Sequence, residues 1–237
     1  MFMTAVITVI AAYLLGSVNF AVIFTKAFAK KDVRKVGSGN AGSTNTLRVF
    51  GTKAGFIVLF GDILKTMAAI WLVRLTFGRV YPDIICLLIF YTAFGVILGH
   101  NFPFYLGFKG GKGIAATAGF MLSMNTPWLF CTMFPWFVLV FLTTHYISLG
   151  STTVYLVFFI ETIVLGQCGK LGALSQPELI EIYCLAFALM CLALWQHRSN
   201  IVKLFKGIEN KTYLSKKGKE KYMKSDAAVK AASANLE

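Results

Sequence analysis

Residues 37–48 combine glycines and hydrogen-bond donors in a pattern that fits an anionic ligand. The segment reads Gly37-Ser-Gly-Asn-Ala-Gly-Ser-Thr-Asn45 and is followed by Arg48. Glycines allow successive backbone N–H groups to turn toward one anion, and the hydroxyl, amide and guanidinium groups add donors. The alternative is a solvated linker. The candidate ligand contacts are Gly37, Ser38, Gly39, Asn40, Gly42, Thr44, Asn45 and Arg48.

A second glycine-rich segment, Gly107-Phe-Lys-Gly-Gly-Lys-Gly113, leads into a short apolar stretch. Free N–H groups and the helix dipole favour a phosphate at such a helix start. The segment is not a Walker A loop, which requires Gly at the position of Leu106 and Ser or Thr at that of Gly113. The alternative is a surface turn held by lipid headgroups. The candidate ligand contacts are Lys109, Gly110, Gly111, Lys112 and Gly113.

Three histidines indicate a place for proton chemistry. His100, His145 and His197 each fall at the same predicted end of an apolar segment. His197 is the strongest candidate for a base, because Asn200 lies on the same helical face and Glu209 follows closely. The candidates from this part of the chain are His197, Asn200, Glu209 and, as a ligand contact, Ser148.

Carboxylates are too scattered to predict a metal centre. Enzymes that bind phosphates through a divalent metal use clustered Asp residues, which this sequence lacks. Asp62 and Lys65 are three residues apart inside an apolar segment, so we interpret them as a structural ion pair. Glu161 is also intramembrane, and the sequence does not identify its partner. We expect no metal and no cofactor.

The composition excludes an ordinary water-soluble domain. Hydrophobic residues make up 57% of the chain, charged residues make up 14%, and the mean hydropathy is +0.70. A soluble domain needs about 25% charged residues. The formal net charge of +13 therefore indicates membrane orientation and anionic substrates or lipids rather than nucleic acid. The five cysteines show no paired spacing, and we expect them to be small core residues.

The apolar segments predict an all-α, polytopic protein with seven transmembrane helices, one of them short. A span needs about 20 mostly apolar residues. The predicted spans are 4–25, 54–77, 83–99, 113–124, 128–144, 151–167 and 179–196. The first is expected to be retained, since no cleavage site follows it. By length alone, segment 113–124 could also be re-entrant.

The distribution of basic residues favours seven spans over six. With seven, one side of the membrane holds only Arg74, Arg79 and Lys170, while almost all other Lys and Arg residues lie on the opposite side. The positive-inside rule then places the N-terminus outside and the C-terminus in the cytoplasm. Residues 1–212 are predicted to form the membrane domain and residues 213–237 a basic polar cytoplasmic tail.

The chain resembles the bacterial membrane glycerol-3-phosphate acyltransferases that use acyl phosphate as donor. Segments 37–45 with Arg48, 99–115, and 197–200 through 207–209 are similar to the three motifs of that family, in the same order. The resemblance covers residues 4–209 and includes Asp62-Ile-Leu-Lys65. The sequence departs from the family pattern at Asn19, Ser43 and Lys203, where Pro, Ala and Arg are common.

The resemblance implies an active site at the cytoplasmic surface of the bacterial inner membrane. It implies acyl transfer from acyl phosphate to the 1-hydroxyl of sn-glycerol 3-phosphate, which gives lysophosphatidic acid and inorganic phosphate in the first step of phospholipid synthesis. Neither acyl carrier protein nor coenzyme A is expected as direct donor. The enzyme that produces acyl phosphate is a candidate partner, and membrane lipids surround the protein.

In the expected mechanism, Ser38 and Arg48, with Lys109 or Lys112, hold one phosphate, and residues 110–113 bind the other. His197 is the candidate base, although the substrate's own phosphate could serve instead. Asn200 would polarise the carbonyl and Glu209 would orient a partner.

Two other functions remain open. A transporter of phosphorylated metabolites would place polar broken helices near the midplane, and a non-catalytic binder of anionic lipids would use the basic tail.

Overall fold

The computed structural model describes residues 2–125 and 127–213. Helices are the only regular secondary structure in this part of the chain, and the predicted all-α class is confirmed there. The helices are α1 Phe2–Ser17, α2 Phe20–Ala29, α3 Ser43–Phe50, α4 Thr52–Phe77, α5 Ile85–Asn101, α6 Ile114–Ser123, α7 Trp128–Thr144, α8 Ile147–Gln167, α9 Gln176–Gln196 and α10 Arg198–Phe205, with 3-10 turns at Val33–Lys35 and Phe104–Leu106. The predicted tail lies outside the described residues beyond Tyr213, so the boundary at 212 stays a prediction.

Five helical stretches are long and apolar enough to cross a membrane: Phe2–Ala29, Thr52–Phe77, Ile85–Leu106, Ile147–Gln167 and Gln176–Gln196. Two further apolar helices, α6 and α7, are shorter. At about 1.5 Å per residue, the 10 residues of α6 cover only half of a hydrocarbon core of about 30 Å. The count of seven spans and the orientation of the termini therefore stay predictions.

The first predicted span is broken, whereas the sequence indicated one continuous helix over 4–25. Helix α1 ends at Ser17 and α2 begins at Phe20. Asn19 caps α2, since its Oδ1 accepts a hydrogen bond from the backbone N–H of Val22 at 3.0 Å. Its Nδ2 donates to the carbonyl of Ala41 at 3.2 Å. The break thus joins the membrane bundle to the glycine-rich loop that follows α2.

Helices α1 and α5 pack with their backbones in close approach. A Cβ atom at Gly99 would lie 2.1 Å from the carbonyl oxygen of Tyr13, and one at Gly95 would lie 2.6 Å from that of Val9. Small residues at helix interfaces are typical of membrane bundles, where they allow extensive van der Waals contact. The tight α1–α5 pair fixes the end of α5, from which the second glycine-rich segment continues.

The outer surface of the bundle is apolar, which corrects the expectation that the cysteines are core residues. Only Cys86 is half-buried, and Cys131, Cys168, Cys184 and Cys191 are exposed. In a membrane protein the outer surface faces lipid, so an apolar residue gains no preference for the interior from its hydrophobicity alone. All five cysteines are free thiols.

Candidate active site

Asn45 organises the first glycine-rich loop from beneath. Its Oδ1 accepts a hydrogen bond from the backbone N–H of Ser38 at 2.9 Å, and its Nδ2 donates to the carbonyls of Val33 and Val36, each at 3.0 Å. Gly37 has a φ of 60°, and a Cβ there would lie 2.3 Å from Asn45 Oδ1. The loop therefore requires glycine at this position. Asn45, predicted as a ligand contact, is buried, and its side chain forms hydrogen bonds with the backbone of the loop itself.

Several predicted donors remain available to a ligand. The side chains of Ser38, Asn40, Thr44 and Lys109 make no hydrogen bond or ion pair with the described part of the chain. Ser38 and Lys109 are exposed, and the other two are half-buried. The first loop also begins α3, whose N-cap is Gly42. Hydroxyl, amide and ammonium donors are thus presented near the start of a helix.

The second glycine-rich segment rests directly on the end of α5. The N–H groups of Gly110 and Gly111 donate to the carbonyls of Asn101 and His100 at 3.1 and 3.0 Å. A Cβ at Gly111 would lie 2.1 Å from Nε2 of His100. The carbonyl of Gly110 accepts from the N–H of Ala41 at 3.4 Å. The two glycine-rich segments are therefore hydrogen-bonded to each other.

A buried charged cluster lies behind this turn and confirms the interpretation of Asp62 and Lys65 as a structural pair. The Nζ of Lys65 lies 2.8 Å from Oδ1 of Asp62, 2.9 Å from Nδ1 of His100 and 2.8 Å from the carbonyl of Val18. His100 Nδ1 lies 3.4 Å from the same carboxylate oxygen. The cluster therefore links the α1–α2 break to the residue that supports Gly111.

A chain of polar contacts joins the second glycine-rich segment, Ser148 and the segment that carries Asn200 and Glu209. Lys112 Nζ donates to Oδ1 of Asn200. The Nδ2 of Asn200 donates to Oε1 of Glu209 at 2.7 Å, and Ser148 Oγ donates to the same oxygen at 3.1 Å. Glu209 is buried, and its Oε2 has no hydrogen-bond partner in the part of the chain that the structure describes. Four predicted residues thus form one connected group.

Burial lowers the pKa of Lys112 to about 8, and the negative charge of Glu209 partly opposes this effect. The positive charges of Arg48, Lys203 and Arg198 lower the pKa further. A cation held among other cations is stabilised by an incoming anion, because the anion relieves their repulsion. The arrangement around Lys112 therefore favours binding of phosphate.

Arg48 makes contacts that the sequence did not predict. Its Nη2 donates to Thr212 Oγ1 at 2.7 Å and to the carbonyl of Asn210 at 3.2 Å, and its Nε also donates to Thr212 Oγ1 at 3.2 Å. The N–H of Thr212 donates to the carbonyl of His145 at 2.9 Å. Arg48 therefore holds the segment that carries Glu209 against the bundle. No sequence motif identified Thr212 as part of this arrangement.

His197 is a buried, neutral imidazole. It caps the end of α9, and its Nδ1 lies 2.9 Å from the carbonyl of Ala193. A carbonyl can only accept, so Nδ1 carries the proton and Nε2 keeps its lone pair. Burial and the charge of Lys112 lower the pKa of His197 to about 4. The lone pair of Nε2 is thus available at neutral pH.

Among residues 2–125 and 127–213, no group of three His, Cys, Asp or Glu side chains lies in an arrangement that could hold a metal ion. Cationic and neutral donors dominate the site instead. They come from three loops and from the starts of α3, α6 and α10. Such a set can bind phosphate groups and stabilise negative charge as it develops.

The fold and the site define a polytopic membrane protein whose candidate anion-binding groups gather at one end of an apolar helical bundle. The chain belongs to the glycerol-3-phosphate acyltransferase family, since the model of that family matches residues 6–207. A glycerol-3-phosphate acyltransferase of Halalkalibacterium halodurans is 41% identical over 207 residues, which cover 86% of this chain and 93% of that protein. The corresponding protein of Mycoplasmopsis synoviae is 38% identical over 216 residues, covering 86% and 92%.

The fold is similar to that of a solved integral membrane protein. The crystal structure of PlsY (YgiH), an integral membrane glycerol 3-phosphate acyltransferase, in its glycerol 3-phosphate form has a TM-score of 0.75 and 32% identity, covering 88% of this chain and 96% of that one. Its lysophosphatidic acid form has a TM-score of 0.72 and 31% identity, covering 89% and 96%. This protein is accordingly an integral membrane member of the family.

Proposed function

We propose that this protein transfers a fatty acyl group from acyl phosphate to the 1-hydroxyl of sn-glycerol 3-phosphate, giving lysophosphatidic acid and inorganic phosphate. Family membership supports glycerol 3-phosphate as acceptor. The two forms of PlsY correspond to the acceptor and the product of this reaction. The observation that carries the proposal is the contact chain from Lys112 through Asn200 to Glu209 and Ser148, beside the neutral His197.

In the proposed reaction, the substrate hydroxyl oxygen attacks the acyl carbon and forms the ester bond. The bond between the acyl carbon and the phosphate oxygen breaks, and the phosphate leaves. Acyl phosphate is a mixed anhydride with a good leaving group, so no covalent enzyme intermediate is required. Positioning and charge stabilisation by Ser38, Arg48, Lys109 and Lys112 would then supply most of the rate acceleration.

The hydroxyl proton has two candidate acceptors. Nε2 of His197 holds a free lone pair, but its pKa of about 4 makes it a weak base. A phosphate dianion has a second pKa of about 6 and is the stronger base near neutral pH. Asn200 would polarise the acyl carbonyl through Nδ2, and Glu209 would orient Asn200 by accepting its hydrogen bond at 2.7 Å.

We further propose that the protein lies in the bacterial inner membrane with this site on the cytoplasmic face. Basic residues concentrate on that side by the positive-inside rule. Acyl phosphate would enter between helices from the bilayer. An enzyme that produces acyl phosphate at the same surface is a candidate partner, because the mixed anhydride hydrolyses in water.

Phosphate release from palmitoyl phosphate tests the proposal. Purified full-length protein in lipid would be assayed with and without glycerol 3-phosphate, in the presence of a chelator. We expect release that requires glycerol 3-phosphate, survives the chelator and yields lysophosphatidic acid. No release from a correctly folded preparation, together with uptake of labelled glycerol 3-phosphate into liposomes, would replace acyl transfer with transport.

A further inference from the structure

Exposed residues on the outer face of α9 are followed by exposed residues on α10, across the turn at His197. Residues on this face recur every three or four positions, and every one of them is exposed. They are Ile180, Cys184, Phe187, Cys191, Trp195, Arg198, Val202 and Phe205. A spacing that averages about 3.6 residues keeps them on one side of each helix. We call this set the outer stripe.

The far end of the outer stripe lies beyond the hydrocarbon core. The 21 residues of α9 span about 31 Å at about 1.5 Å per residue, which already matches a core of about 30 Å. With α9 crossing the core, Val202 and Phe205 on the next helix would lie at headgroup depth. Phe205 is 88% exposed and Val202 is 52% exposed. Both side chains therefore leave apolar surface that the described part of the chain does not cover.

Basic residues flank the exposed apolar positions. Arg198 lies with its guanidinium 4.5 Å from the ring centroid of Trp195, and Lys203 and Lys206 are exposed on α10. Aromatic rings next to Lys and Arg are typical of helices that lie in the membrane interface. Each such cation adds about 1 kcal/mol of attraction to an anionic leaflet.

The opposite face of α10 carries the active site. Asn200 projects from this face toward Lys112 and Glu209, and His197 immediately precedes the helix. No residue of α10 is buried, so packing against the rest of the protein holds this helix only weakly. Asn200 is held from the inner side by its hydrogen bonds with Lys112 and Glu209, and a contact on the outer side of α10 would restrict it further.

We propose that the α10 part of the outer stripe, Arg198, Val202 and Phe205, docks on anionic headgroups of the cytoplasmic leaflet. This docking would hold Asn200, on the opposite face of α10, in the active site. Continuity with the lipid-facing surface of α9 and the flanking positive charges select an anionic membrane over a soluble protein as the occupant. The dependence of activity on lipid rests on the acyltransferase function proposed above, whereas the docking itself does not.

Fluorescence quenching tests the docking without any activity measurement. The full-length chain would carry Phe205→Trp in a background where the four native tryptophans, Trp71, Trp128, Trp136 and Trp195, are replaced by Phe, and would be reconstituted into phosphatidylglycerol vesicles. We expect nitroxides on lipid headgroups to quench the added indole several-fold more than aqueous iodide does. Stronger quenching by iodide would overturn the proposal. Protection that arises only on addition of a soluble protein fraction would also overturn it, in favour of a protein partner.

Activity in defined lipids tests the consequence for the site. We expect several-fold faster turnover in phosphatidylglycerol vesicles than in phosphatidylcholine vesicles. The combined Phe205→Ser and Lys206→Glu variant should lose this difference, whereas Lys31→Glu, the same charge change on another exposed residue, should keep it. A double variant that retains the full lipid dependence would overturn the coupling. Absence of acyl transfer in every lipid would count against the proposed function and leave the quenching result standing.

Discussion

His197 would act through its neutral form. With its pKa lowered to about 4, the imidazole stays neutral as the pH falls through 6.5 and becomes protonated only near 4. If His197 is the base, kcat/KM should fall on the acid side with an apparent pKa of about 4, and His197→Ala should reduce kcat by about 100-fold or more.

His197→Gln is the matched control, because an amide can accept a hydrogen bond but cannot take the proton. An acid limb at a pKa of about 6, as for a phosphate dianion, that persists in His197→Gln would assign the proton to the substrate. Near-normal turnover in both variants would remove His197 from the mechanism.

Lys112 should set the basic side of the pH profile. Its pKa of about 8 means that the free enzyme loses this positive charge as the pH rises through 8. Binding of glycerol 3-phosphate should weaken there, so kcat/KM should decline above pH about 8. Lys112→Arg should move the decline to higher pH, because a guanidinium remains charged. A basic limb that stays in place in Lys112→Arg would exclude Lys112 as its source.

The segments of the candidate site could be predicted from the sequence better than the contacts that their side chains make. Glycine density, basic residues and the spacing of His197 and Asn200 identified three segments that the structure connects. The sequence did not show that the side chain of Asn45 forms its hydrogen bonds within its own loop. The partners of a side chain depend on the path of the loop. Gly37 sets that path through its left-handed backbone conformation, which a residue pattern does not reveal.

At the scale of elements, α3 and the C-terminal segment are held together by Arg48. We expect Arg48→Ala to raise KM for glycerol 3-phosphate, because it removes a cation from the phosphate site. Thr212→Val is the matched control, since it removes the contacts with Arg48 Nε and Nη2 but keeps the guanidinium. An unchanged KM in Arg48→Ala would reject its assignment to the phosphate. Equal effects in both variants would make Arg48 a positioning residue.

The ion pair between Asp62 and Lys65 should fix α4 against α5 and the α1–α2 break. Asp62→Asn leaves Lys65 as an uncompensated buried charge, and breaking such a pair costs about 3–5 kcal/mol. We expect a large loss of thermal stability in detergent and a smaller loss when Lys65→Met is added. Asp83→Asn, in an exposed loop, should leave stability unchanged. If the double variant were as unstable as Asp62→Asn alone, the unpaired charge would not be the cause.

Element boundaries followed from the sequence where length and apolarity decided them. The segments 128–144 and 151–167 closely match α7 and α8. The break at residues 18–19 was not predicted, although Asn19 is a favoured N-cap residue, because the apolar run continues through it. It is stabilised by distant partners instead, namely the Lys65 ammonium on the carbonyl of Val18 and Asn19 on Ala41.

For the whole molecule, the apolar surface and the charge asymmetry both follow from the lipid bilayer that surrounds the bundle. A bundle in lipid has no hydrophobic drive to bury apolar residues, so composition identifies the class of protein but not which face of a helix points inward. This is why the membrane class was evident from the sequence and the positions of the cysteines were not. Small residues and hydrogen-bonded polar residues show which face of a helix points inward, as the glycines at the α1–α5 contact illustrate.

The proposed orientation in the membrane is a prediction about the whole molecule that cysteine labelling tests directly. Single cysteines would be introduced in a cysteine-free background at Lys31→Cys and Arg79→Cys, which the positive-inside rule places on opposite sides. A membrane-impermeant maleimide should label Arg79→Cys in intact spheroplasts and Lys31→Cys only after lysis. The reverse pattern would invert the topology. Labelling of both in intact spheroplasts would mean that α4 does not separate these two positions. A third cysteine at Lys206→Cys tests α6, since Lys206→Cys should be labelled only after lysis if α6 crosses the bilayer, and in intact spheroplasts if α6 does not.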